Sequence, residues 1–314
     1  MKVRFFSPKF LAAVGLLGAV ALLQPFSLIA QDGLNNDAQD RSTSNALEVR
    51  DAQEPPLMGA HWAREFAHTA RPRRSPDMLW HNGAIMTSSA VTAIYWGTSW
   101  TSADPKVSGL QSFYTGFNSS NYAKTSDEYT GTNGQVGSGN TYGGYVIDTT
   151  PASGGSQTSA ILAEVCRAVP SPASNGYYPV YTDIKRGNAG YCAWHSYGSC
   201  GATPVQFAFF FNLDGDPGCD PQDTQTGHPQ GVAALANVSA HELSEARTDP
   251  RNGGWYDSSG AENGDKCAWT FNVPYVKFSD GSIWKVQGEW SNAAYNAGTG
   301  YPNSSGQRGC LDGH

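Results

Sequence analysis

An α+β fold is predicted for this 314-residue chain on three observations. Strand-like and helix-like segments alternate from Leu79 to a helix that stops near Asp249. That helix carries His241-Glu242-Leu243-Ser244-Glu245, a pattern suited to gripping a metal ion. The remaining chain is glycine-rich and irregular, with Cys267 and Cys310 to tie it down. The expected architecture is a mixed β-sheet with backing helices and a metal-site helix, followed by an irregular, disulfide-tied C-terminal part.

The elements follow in chain order. Lys2, Arg4 and Lys9 precede an apolar run over 10–23, and Leu28-Ile29-Ala30 suits cleavage, so 1–30 reads as a signal peptide. The run is short and is broken by Gln24 and Pro25, which argues against a membrane anchor. Residues 31–76 read as a disordered linker or pro-segment, because 31–50 is polar without an apolar period. Arg71-Pro72-Arg73-Arg74 suits a processing point, and 61–68 suits one short helical turn. A single domain is expected over 77–314.

Within it, Ala90-Val91-Thr92-Ala93-Ile94-Tyr95-Trp96 is a strand by its β-branched and aromatic content. A helix over 107–117 puts Leu110, Phe113 and Tyr114 on one face. Residues 142–147 suit a strand, and 157–169 a second helix bearing Ile161, Leu162 and Val165. Strands follow at 178–184 and 205–211. The second of these is apolar throughout its tip, so both its faces should be covered. The motif helix spans 231–245, ending before Pro250. Short strands are expected at 275–278 and 283–286, before a Gly/Asn-rich tail.

Loss of Lys2, Arg4 and Lys9 would take the formal charge from −7 to −10. An acidic chain with no basic stripe is a poor nucleic-acid binder. No stable membrane insertion is expected after signal cleavage, and a monomer is expected. Cys166, Cys192, Cys200, Cys219, Cys267 and Cys310 are an even set that an oxidising compartment would pair, with fifteen connectivities open.

On a helix, His241 and Glu245 lie one turn apart and can hold one ion, with Glu242 beside them as general base. Zinc bound by three ligands would supply activated water near neutral pH. A carboxylate in place of a second imidazole makes that water less acidic. Candidates for the remaining ligand are Asp249, Asp257, Glu262 and Asp265. Glu262 and Asp265 are favoured, since Asp265 lies twenty residues past Glu245 and Cys267 could clamp the loop. The same carboxylates and glycines also suit a structural calcium site, and a solvated polar helix end with no metal is a third reading. His195 suits either a proton donor beside the site or a hydrogen-bonded core histidine. No Gly-x-Ser-x-Gly elbow is present. The order of elements resembles the zincin architecture, where a smaller C-terminal part supplies the last ligand.

Several segments together resemble the phosphate-induced protein 1 (Exordium-like) family. They are Trp80-His81-Asn82-Gly83, Ala93-Ile94-Tyr95-Trp96-Gly97, Gly190-Tyr191-Cys192-Ala193-Trp194-His195 and Thr248-Asp249-Pro250-Arg251-Asn252-Gly253-Gly254-Trp255-Tyr256. The resemblance implies a secreted, extracellular or cell-wall-associated protein and carries no enzymatic activity with it. Two functions stand open. One is a secreted zinc peptidase acting on a peptide or cell-wall substrate, with His241, Glu245, Glu262 and Asp265 as metal ligands and Glu242 and His195 catalytic. The other is a non-catalytic Exordium-like protein that binds cell-wall or partner molecules and holds at most a structural metal.

Overall fold

Apolar and aromatic runs assemble a six-stranded mixed sheet. The strands are β1 (Met58–Trp62), β2 (Ser89–Trp96), β3 (Asn140–Asp148), β4 (Gly176–Lys185), β5 (Tyr191–Cys200) and β6 (Thr203–Asn212). The structure is a computed structural model that describes residues 54–67 and 76–314, all within one unit over Asn35–His314. The expected signal peptide and the Arg71–Arg74 stretch lie outside the described residues. The sheet order is β1-β5-β6-β4-β2-β3. β3, β2, β4 and β6 run parallel, β5 is antiparallel to β6, and β1 is antiparallel to β5.

Among the described residues there are four α-helices: α1 (Pro105–Phe117), α2 (Thr158–Ala168), α3 (Gln230–Thr248) and α4 (Asn292–Ala297). α1 starts where Asp104 accepts a hydrogen bond from the Lys106 N–H, with Pro105 in the first turn. α3 ends at Asp249, whose N–H reaches the Glu245 carbonyl before Pro250 stops the helix.

Strand alternation sorts the two faces of the sheet. On β5, Trp194 bonds the Gly155 carbonyl and Gly198 lies against Leu162, so this face meets α2. His195 points the other way, toward α3. α1 shares the α3 face through a buried hydroxyl chain, Tyr114–Tyr181–Ser239, at 2.7 Å per link. The C-terminal part closes over α3 from outside, where Asn237 accepts from the Gln287 N–H. α3 is therefore buried on all sides, polar residues included.

The six cysteines pair as Cys166–Cys200, Cys192–Cys219 and Cys267–Cys310. One of the fifteen connectivities is thereby selected.

Three expectations change. Residues 54–67 are not linker-like: 58–62 form β1, so His61 is on a strand and not in a helical turn. Strand pairing with β5 overrides the local polarity there. β5 is not among the strands that the sequence predicts, because its serines, histidine and glycine break the apolar pattern. The strands at 275–278 and 283–286 shrink to Val276–Lys277 paired with Ile283–Trp284.

Candidate metal centre

α3 carries His241, Glu242 and Glu245 into the layer between the sheet and the C-terminal part, and all three are fully buried. A solvated helix end is thus excluded. The Nε2 of His241 lies 3.0 Å from Oε1 of Glu245 and 3.7 Å from Oδ1 of Asp265. These three residues can place one ligand atom each within 4.8 Å of one another. A second group, His195, Glu242 and Glu245, meets the same limit and shares Glu245.

The backbone is shaped to this cluster. Asp265 opens a short helical turn, Asp265–Cys267, and its N–H bonds Oε1 of Glu245 at 3.0 Å. Gly264 passes so close that an added Cβ would lie 2.7 Å from Nδ1 of His241. The Cys267–Cys310 disulfide ties the turn to the C-terminal hairpin. Gln287 holds the outer side of His241: its amide nitrogen lies 3.0 Å from Nδ1 and donates to the Gly264 carbonyl.

The structure does not bring Glu262 into either ligand group. Its Oε2 is 2.8 Å from Nε2 of His195, so these two form their own pair. His195 thus satisfies both of its expected roles in position: it is hydrogen-bonded and beside the site. Asp257 is taken by Lys266 at 2.9 Å, and Asp249 accepts from the N–H groups of Gly253 and Gly254. Neither joins the ligand groups.

Burial dominates the electrostatics. It pushes His241 down to about 3 and His195 down to about 4, so both rings are neutral near pH 7. It pushes Glu245 up to about 7, against the opposing pull of His195. Glu262 is raised well above the carboxylate range, first by burial and then by Glu245, Asp249 and Asp265. The leading charges acting on Glu262 are all acidic. The buried Nε2 of His241, although 3.0 Å from Oε1 of Glu245, makes no well-directed hydrogen bond. A nitrogen lone pair and crowded carboxylates fit a divalent metal.

One residue at the site escaped sequence reasoning. His61 of β1 stacks on His241 with ring centroids 4.2 Å apart and touches Trp269 at 4.5 Å. Neither of its ring nitrogens has a hydrogen-bond partner. No spacing in the chain links His61 to the motif, since the contact spans the whole fold.

No protein-family model, no curated protein and no solved structure matches the chain.

Proposed function

We propose that the chain is an exported, metal-dependent hydrolase of zincin-like form, and that its substrate is a peptide. One observation carries this reading. Residues 241, 245 and 265 bring an orphaned imidazole nitrogen and two carboxylates to one buried point, with Glu242 adjoining through the shared Glu245. His241, Glu245 and Asp265 would hold zinc, which supplies a Lewis acid that makes water more acidic. Glu242 takes up the proton. The His195–Glu262 pair holds one further proton beside it, in position to pass it to a leaving group.

Export is supported by the signal-like start and by the three disulfides. No helix among the described residues is long and apolar enough to cross a membrane. A second reading is favoured by the complete burial of the cluster: a non-catalytic, Exordium-like extracellular protein with a structural metal.

Glu242→Gln separates the two. The hydrolase reading expects unchanged zinc content and a fall in peptide hydrolysis of about 10²-fold or more. Wild-type protein that holds zinc, and whose closed site stays silent however it is opened, would leave only the structural role.

A further inference from the structure

The outer edge of β5 is covered by a segment from far upstream, and that segment lies across the metal centre. β1 pairs with β5 alone, with Met58 opposite His195 and Trp62 opposite Tyr191. Without β1 the other five strands still form a continuous sheet. We infer that the β5 edge is a groove for an extended polypeptide and that the chain's own residues 54–67 fill it, holding the site in a latent, closed form. What the groove serves rests on the hydrolase reading; that it is a separable groove does not.

Four features point the same way. First, backbone carbonyls and an N–H of the segment are gripped along its length, as a peptide groove would grip them, while Glu54, Arg64 and Glu65 anchor its two ends through side chains. Thr158 donates to the Pro55 carbonyl, Ser196 to that of Pro56 and Trp269 to that of Trp62, while Ala63 N–H reaches the Gly190 carbonyl. Second, the ladder slips between Met58 and His61, directly over the acidic cluster. Gly59 there has φ +43°, and an added Cβ would lie 2.0 Å from Oε2 of Glu245 and 2.5 Å from the His195 ring. Backbone alone fits at that point. Third, His61 is buried with both nitrogens unbonded, a cost that an integral core strand would rarely retain. Fourth, His195, Glu242, Glu245 and His241 are almost wholly inaccessible with β1 in place, so no substrate reaches them.

The test uses the full chain nicked by trypsin, which cuts after arginines such as Arg73 and Arg74 on the C-terminal side of the segment. Fragments are separated under native conditions, and hydrogen exchange is followed on β4 and β6. The released segment should leave those strands protected. A synthetic peptide of residues 54–67 should rebind saturably, and the same peptide with Gly59→Val should bind at least about tenfold more weakly. With zinc present, nicking should raise hydrolysis of an unfolded protein substrate at least about tenfold, and the peptide should reverse the gain. Rebinding without any hydrolysis upholds the groove and sinks the hydrolase reading. Collapse of β4 and β6 protection when the segment leaves would make β1 an integral strand and overturn the proposal. The intact Gly59→Val chain gives an independent check: faster exchange confined to β1 supports a separable strap, and uniform loss of protection refutes it.

Discussion

Zinc binding should be steeply dependent on pH, because the cation must displace a proton held by burial. Glu245 sits at about 7, whereas His241, at about 3, is already neutral and adds no slope. A carboxyl with that value is about one-tenth ionised at pH 6 and about nine-tenths at pH 8. Zinc affinity should therefore rise about 10-fold between them, or about 1.4 kcal/mol. Glu262 lies higher still and shares the acidic cluster with Glu245. If the cation draws off its proton as well, the rise steepens by up to about tenfold for each further pH unit. The assay is competition against a chromophoric chelator at each pH. Calorimetry in two buffers of different ionisation enthalpy counts the protons released. An affinity flat across this range, with no proton release, would refute the claim that a buried, protonated Glu245 is a ligand.

Other outcomes follow from the same geometry. His241→Ala should abolish stoichiometric zinc in elemental analysis while leaving the three disulfides formed, since it removes the imidazole that faces Glu245 and Asp265. Converting Cys267 and Cys310 to serine opens a link between residues 43 apart and should cost about 4 kcal/mol by chain entropy, read as a lower melting temperature. Zinc affinity should fall too, because the turn bearing Asp265 loses its tether. In chelator, stability should peak in mild acid. The histidine contribution is complete above their ordinary 6.5 and is lost as pH falls through about 4 and about 3. The Glu245 contribution is complete below its ordinary 4.5 and is lost as pH rises through about 7. Zinc should move the maximum toward higher pH, as denaturant titrations would show.

The sequence made the metal helix legible because helical spacing alone joins His241 to Glu245, and Pro250 alone ends it. The largely apolar run at 205–211 likewise marks a central strand, and every residue of Val205–Phe211 is buried. What stayed hidden was long-range. β5 reads as polar and broken, and only its place between β1 and β6 makes it a strand. β1 lies in a stretch whose neighbours are polar, so nothing local marks it. Glu262 is a ligand candidate as a carboxylate in the loop that Cys267 clamps, but its partner is His195, 67 residues away and across the site. Asp265 is one of four candidates in the sequence, and what brings it beside His241 and Glu245 is a backbone N–H bonded to Glu245 that no residue pattern encodes.

The most direct measurement is an anomalous-scattering map at the zinc edge from crystals equilibrated with zinc. One strong peak is expected, bounded by Nε2 of His241, a Glu245 carboxylate oxygen and Oδ1 of Asp265, and weakened or lost in Glu245→Gln. No peak at that point, with the imidazole still facing an unmetallated carboxyl, would contradict it.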